Sequence, residues 1–192
     1  GTFGQGLAGV AEADLIAAGQ RVRLVHLFED EDFRTSIGFV NGTGETIRIY
    51  AQFYAGDGTA LGSRQQIDLP AYGNQQWNRA FGRVTSSDVS GGFVDVWTET
   101  AAGSYFTSGS VAGDDTFRDP TTILPTEYGM EGTAYFIPAA ALSAGAEGSF
   151  FQTDVDLNNG GAEMVTDQYL RLPRGANNSE PATSDSFTLA AG

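Results

Sequence analysis

The chain of 192 residues contains no cysteine and no lysine, and its only histidine is His26. Without cysteine there are no disulfide bonds and no thiolate chemistry. One histidine cannot form a usual zinc site, and a Ser-His-Asp triad would depend on His26 alone. His26 lies in the apolar stretch RLVHLF, a pattern that favours a half-buried strand residue. A glycosidase would need two carboxylates facing each other across a cleft, which no motif indicates. We therefore predict that the chain is not an enzyme.

Positive charge and long apolar runs are also scarce. Ten arginines stand against 24 acidic residues, and the net charge is −14. This balance argues against nucleic acid or an anionic membrane surface as a partner. No apolar run approaches the roughly 20 residues that span a bilayer, so we expect no membrane insertion.

The acidic composition suits an extracellular or cell-surface protein, although halophilic cytosolic proteins are acidic as well. The first residue is Gly1 and not Met. We interpret this as a cleaved secretion signal or as a sequence that begins inside a longer chain. Localisation outside the cell is therefore an expectation that rests on composition.

Alternation of polar and apolar residues dominates the first 125 residues. Thr46–Phe53 alternates in this way, Ala55–Thr59 is rich in glycine, and Ser63–Leu69 alternates again, which predicts a hairpin. Val10–Ala18 fits either two helical turns or a linker. Further strands are predicted at Arg21–Phe28, Phe33–Asn41, Gln75–Phe81, Gly92–Thr100, Ser104–Val111 and Thr121–Leu124. Short strands at this spacing are typical of an all-β, immunoglobulin-like antiparallel sandwich.

A repeat with an offset of 118 residues marks a second unit. FRTSIGFVNGTGE at residues 33–45 returns as FQTDVDLNNGGAE at residues 151–163, with Phe, Thr, a β-branched residue, a large apolar residue, Asn-Gly and Glu in the same places. We predict four segments: an N-terminal extension at 1–19, a complete sandwich at 20–125, a linker at 126–132 and a partial second sandwich at 133–192.

A partial sandwich exposes one face of its core and unpaired strand edges. Three explanations compete: the unit is cut short, it packs against the first unit, or a strand from a neighbouring molecule completes it by donor-strand complementation. The sequence does not separate them.

Four stretches together resemble the tandem immunoglobulin-like repeats of large secreted and surface proteins of bacteria such as Acidobacteria. They are GTFGQGLAGVAEADLIAAGQ, FRTSIGFVNGTGETIRIYAQFYAGDGTALG, SVAGDDTFRDPTTILP and YFIPAAALSAGAEGSFFQTDVDLNNGG. In this resemblance the first stretch is similar to the closing strand of one repeat, and the last is similar to the opening of another. The resemblance implies a structural role and brings no catalytic residues.

Complementary ends suggest head-to-tail assembly of identical chains, which would produce a filament. The hypothesis is that the N-terminal strand of one molecule pairs with the second unit of the next, as a homopolymer of structural subunits. A spacer within a longer chain of such repeats is the other structural interpretation. The candidate assembly residues are Phe3, Gln5, Leu7, Phe151, Val155 and Leu157.

Two ligand classes remain open. Calcium favours carboxylates in loops, and the weak candidates form two groups, Asp30 with Asp32 and Asp114 with Asp115 and Asp119. Neither of these two groups has the residue spacing of a calcium-binding loop. A solvated loop is the favoured explanation of these carboxylates and needs no ligand. Carbohydrate would need exposed aromatic rings such as those of Trp77 and Trp97, and the alternative for both rings is core packing.

Overall fold

The computed structural model describes residues 8–113, 120–127, 142–144, 150–153, 155, 157, 159, 161–171, 179 and 182–191. These residues fall into two compact units, one within residues 1–130 and one within residues 131–192. The described residues form strands, turns and two short 3-10 turns, with no α-helix. The prediction of an all-β fold with antiparallel sheets is confirmed. None of the described helical segments has the length and apolar character needed to cross a membrane.

Ten strands belong to the first unit. They are β1 (Ile16–Ala17), β2 (Arg21–Glu29), β3 (Phe33–Asn41), β4 (Ile47–Tyr54), β5 (Ala60–Leu69), β6 (Asn74–Asn78), β7 (Val89–Thr98), β8 (Ser104–Gly113), β9 (Thr121–Ile123) and β10 (Thr126–Glu127). The 3-10 turns span Glu12–Asp14 and Phe81–Arg83. Six strands of the second unit are β11 (Leu142–Ala144), β12 (Phe150–Gln152), β13 (Val165–Asp167), β14 (Leu170–Arg171), β15 (Ala182–Thr183) and β16 (Phe187–Leu189).

Two five-stranded antiparallel sheets build the first unit. Sheet A has the order β1-β8-β3-β6, with β9 also paired to β8, and sheet B has the order β10-β2-β7-β4-β5. Strand β3 pairs with β8 along its whole length, from Phe33 opposite Gly113 to Asn41 opposite Tyr105. The other edge of β3 pairs with β6. Strand β4 lies between β5 and β7, so β3 and β4 each have a paired neighbour on both edges.

The core of the first unit lies between the two sheets, because the alternating apolar residues of both sheets face inward. Trp77 of β6 packs edge-on against Phe39, with ring centroids 4.7 Å apart, and stacks near Phe53 of sheet B at 6.4 Å. Phe39 and Phe53 are fully buried. Burial of each such side chain contributes about 1.5–3 kcal/mol, so this alternation is the main source of stability.

Two expectations about the ends of the first unit are corrected. The stretch Val10–Ala18 forms a 3-10 turn and then β1, whose Ile16 pairs with Tyr105, because pairing with the free edge of β8 satisfies its backbone. The first residues of the expected linker, Thr126 and Glu127, form β10 on the edge of β2, with the Thr126 hydroxyl donating to the Arg23 carbonyl at 3.0 Å.

Tyr105 links the sheets, and its ionisation predicts an alkaline instability. Its buried hydroxyl donates to the Val96 carbonyl at 2.8 Å, and burial raises the pKa of Tyr105 above its ordinary value. Because the folded-state pKa is raised, this stabilisation is complete below about pH 10, the unfolded pKa of tyrosine, and is lost as the pH rises through the folded value. Tyr105→Phe should lose about 1 kcal/mol at pH 7 and then decline less steeply than the wild type above pH 10. Urea unfolding of both proteins at pH 7 and above pH 10 measures the difference in the free energy of unfolding. Equal declines with pH in the wild type and in Tyr105→Phe would contradict the prediction.

Candidate functional site

The second unit repeats a side-chain clamp of the first. The amide nitrogen of Asn41 donates to the carbonyls of Glu45 (2.7 Å), Leu69 (3.3 Å) and Pro70 (2.8 Å). The Asn41 amide oxygen accepts the backbone N–H of Thr43 at 2.8 Å. The Asn clamp, defined by these contacts, joins the end of β3 to the β4–β5 hairpin.

Asn159, 118 residues later, makes the same contacts. Its amide nitrogen donates to the carbonyls of Glu163 (2.7 Å), Leu189 (3.4 Å) and Ala190 (2.9 Å). Its amide oxygen accepts the N–H of Gly161 at 2.9 Å. The sequence repeat is therefore also a repeat of hydrogen bonds.

The hairpin that the clamp holds is repeated in register. Val165 pairs with Leu189 in β13–β16, as Ile47 pairs with Leu69 in β4–β5. The next two pairs also correspond, because Thr166–Thr188 and Asp167–Phe187 occupy the places of Arg48–Asp68 and Ile49–Ile67. The second unit thus contains the counterpart of the β4–β5 hairpin together with the end of β3.

Core positions of the first unit are exposed at their counterparts in the second. Ile37 and Phe39 are 0% and 1% exposed, whereas their counterparts Val155 and Leu157 are 48% and 53% exposed. Val165, the counterpart of the buried Ile47, is exposed as well. Because burial decides the contribution of an apolar side chain, these residues form an open half of a core. We call Val155, Leu157 and Val165 the acceptor face.

The first unit shows what covers these positions when the sandwich is closed. Ile37 and Phe39 lie on β3, between β6 and β8, and Ile47 lies on β4 of sheet B. In the part of the second unit that the structure describes, no strand corresponds to β6, β7 or β8. The described strands of this unit also include no partner for residues 155, 157 and 159. The acceptor face therefore presents exposed apolar side chains on residues that no described strand pairs with, the combination that favours strand addition.

The predicted assembly residues are only partly described. Phe151 lies in β12, whose backbone pairs with Ser143 of β11, and Val155 and Leu157 belong to the acceptor face. Phe3, Gln5 and Leu7 lie outside the described residues. Sequence reasoning missed Asn41 and Asn159 as the residues that hold the hairpins. The recurrence of Asn-Gly at the same offset was the available signal.

The acidic stretch at residues 29–32 makes contacts within its own chain. Asp30 accepts the backbone N–H groups of Asp32 at 2.8 Å and Phe33 at 2.7 Å, which closes the turn between β2 and β3. Glu29 is buried and accepts the N–H of Gly82 at 2.6 Å. The calcium candidates Asp114, Asp115 and Asp119 lie outside the described residues. Within the described ranges, no three acidic or histidine side chains are grouped so that they could hold a metal ion.

His26 is half-buried at a β-bulge of β2. Its backbone has φ of 59°, between the pairs that Leu24 and Leu27 make with β7, and its ring lies edge-on to Phe28 at 4.7 Å. The bulge turns this residue out of the regular alternation. The bulged backbone and the contact with Phe28 place His26 on β2.

The two tryptophans do not form a flat exposed platform. Trp77 is buried in the core, where it contacts Phe39 and Phe53. Trp97 is half-buried on sheet B, with the guanidinium of Arg21 over its ring at 4.1 Å and the ring of Tyr50 at 5.6 Å. The face that a sugar would stack against is thus covered by the protein's own arginine.

No family model, no curated protein and no solved structure matches the chain. The internal repeat is therefore the comparison that informs on function. Val155, Leu157 and Val165 of the second unit are exposed, whereas the residues at the equivalent positions of the first unit are buried in its core.

Proposed function

We propose that the chain is an extracellular structural protein that assembles with copies of itself by β-strand addition to the acceptor face. The observation that carries the proposal is the exposure of Val155 and Leu157, whose counterparts Ile37 and Phe39 are core residues. Each exposed apolar side chain that becomes covered stabilises the assembly by about 1–3 kcal/mol, and backbone pairing at the open edge adds specificity.

The geometry of the contact favours a polymer over a closed dimer. The acceptor face belongs to the second unit, and both edges of β3 in the first unit are already paired. A donor segment outside the second unit would therefore meet a different surface on the neighbouring copy. Such heterologous contacts continue from copy to copy unless they close into a ring. The net charge of −14 is compatible with a soluble extracellular filament surface.

The test is the self-association of the chain of residues 1–192. Light scattering after size exclusion and electron microscopy of the wild type should show polymers whose length increases with concentration. Leu157→Asp should lower the assembled fraction at least tenfold, because it places an unpaired carboxylate in a surface that assembly buries.

Val40→Asp is the matched control for this variant. Val40 is also exposed, at 40%, and it lies on β3 of the first unit, next to the counterpart of Leu157. This variant should assemble like the wild type. A wild type that stays monomeric at every concentration, or equal loss in both variants, would refute assembly through the acceptor face.

A further inference from the structure

The place of β8 in the first unit defines how a further strand would pair with residues 151–159. Strand β8 pairs antiparallel with β3 in nine consecutive pairs, and among them Thr35 faces Val111, Ile37 faces Gly109 and Phe39 faces Thr107. By the offset of 118 residues, the counterparts of these β3 residues are Thr153, Val155 and Leu157. The register of a covering strand is thereby specified by the repeat itself.

We propose that residues 1–9 of a second copy occupy the place of β8 on residues 151–159, an inference that rests on the proposed function. The pairing is antiparallel, with Leu7 opposite Thr153, Gln5 opposite Val155 and Phe3 opposite Leu157. Strand β11 uses one edge of β12, and the donor takes the other edge. Nine donor residues match the nine pairs that β8 makes with β3.

The sequence of the donor supports this register. Leu7-Ala8-Gly9 corresponds to Val111-Ala112-Gly113, the end of β8, at an offset of 104 residues. Residues 1–9 contain no charged side chain and four glycines, and β8 is likewise uncharged. An uncharged, glycine-containing strand fits against an apolar face without burying a charge.

Two inward positions of the donor carry its large apolar side chains, Phe3 and Leu7, and Gln5 lies between them at the place of Gly109. In β8 the fully buried residues Tyr105 and Thr107 alternate with half-buried Phe106 and Ser108. Because side chains alternate between faces along a strand, Phe3 corresponds to Thr107 and Leu7 to Val111. Phe3 then lies beside Leu157, the most exposed of the three acceptor-face side chains, whose counterpart Phe39 is buried in the first unit.

The first unit cannot take this donor. Strand β3 pairs with β8 on one edge and with β6 on the other. Pairing of residues 1–9 with the first unit of another copy would require displacement of β8. The second unit offers the same pattern with the place of β8 open among its described residues.

Disulfide trapping tests both the donor and the register, and the absence of native cysteine makes it specific. Two single-cysteine chains, Gln5→Cys and Val155→Cys, are mixed under mild oxidation. The expected product is a disulfide-linked dimer of the two different chains, at a yield at least tenfold above that of the control mixture.

The control mixture combines Gly9→Cys with the same Val155→Cys chain. A Cβ at Gly9 meets no atom within 4 Å, so the substitution is tolerated. In the proposed register Gly9 lies four residues from the partner of Val155. This is about 13 Å along the strand, beyond the roughly 7 Å that a disulfide bridges between Cα atoms.

Each outcome bears on one part of the inference. Linkage through Gly9→Cys in place of Gln5→Cys would overturn the register. Assembly that persists after deletion of residues 1–9 would overturn the donor and leave the proposed function standing. A chain that carries both Gln5→Cys and Val155→Cys is a further test. If it forms the disulfide within one molecule, and the mixture of the two single-cysteine chains gives no linked dimer, the donor does not come from a second copy. A wild type that does not associate would refute the proposed function as well.

Discussion

Replacing Asp95 with alanine should destabilise the first unit by about 3–5 kcal/mol, because it removes the buried carboxylate that pairs with the Arg23 guanidinium. Asp95 is completely buried on β7, and Arg23, opposite it on β2, is 5% exposed. The carboxylate accepts from Arg23 Nε at 2.6 Å and from Nη2 at 3.0 Å. The guanidinium also lies over the Phe93 ring at 4.2 Å, which holds it in place away from water.

The exposed pair Arg48–Asp68 is the matched control for the buried pair. It has the same bidentate geometry, with Nε–Oδ1 at 2.6 Å and Nη2–Oδ2 at 2.8 Å, but its side chains are about half exposed. Hydrogen bonds from Arg48 hold the pKa of Asp68 below its ordinary value. Water can replace these contacts, so Asp68→Ala should cost only a small fraction of the loss in Asp95→Ala.

A double variant separates the broken pair from lost packing. Arg23→Met with Asp95→Leu removes both charges and keeps apolar volume, and it should recover most of the stability that Asp95→Ala loses. Urea unfolding of all variants, followed by tryptophan fluorescence, gives the free energies. Equal losses in Asp95→Ala and Asp68→Ala would show that the burial of this pair has no energetic consequence.

Asn41→Asp should destabilise the first unit by about 3–5 kcal/mol, although the two side chains have nearly the same shape. Asn41 is 1% exposed, and its amide nitrogen serves three carbonyl oxygens. An aspartate turns an oxygen toward these carbonyls, so it loses the donors and adds repulsion in a buried place. The free energy of unfolding in urea is again the measurement.

Asn159→Asp provides the matched comparison, because Asn159 makes the same three contacts in a less buried setting. Its effect should be smaller and confined to the second unit, with the unfolding of the first unit unchanged. If Asn41→Asp destabilises the first unit no more than Asn159→Asp destabilises the second, the Asn clamp contributes through turn geometry and not through buried hydrogen bonds.

The strands of the first unit could be predicted from the sequence because their inward and outward faces differ in polarity. The bounds of β3, Phe33–Asn41, are those that alternation predicts. Alternation did not predict which face of β7 is buried, because the aromatic Phe93 and Trp97 lie on the same face as the charged Asp95. That face is explained only by contacts with Arg21 and Arg23 of β2, which lie about 70 residues away in the chain.

The exposure of the acceptor face could not be predicted from the sequence either. The repeat shows which residues of the second unit correspond to core positions, since this is a matter of offset alone. Which of them are exposed depends on whether covering strands are present, and periodicity carries no information on that. The role of Asn41 as a clamp could not be predicted either, because an Asn-Gly pair ordinarily indicates an exposed turn.

The Asn clamp has a consequence for the order of folding. It ties residues within about thirty positions of one another, whereas pairing of β2 with β7 and of β3 with β8 joins residues roughly seventy apart. Local contacts close at lower entropic cost, so we expect the clamped hairpin to form before the long-range pairing of β2 with β7 and of β3 with β8. Among its described residues the second unit contains the same clamped hairpin, and no described strand corresponds to β6, β7 or β8. If the chain assembles as proposed, strand addition between molecules would supply pairing that in the first unit forms within one chain.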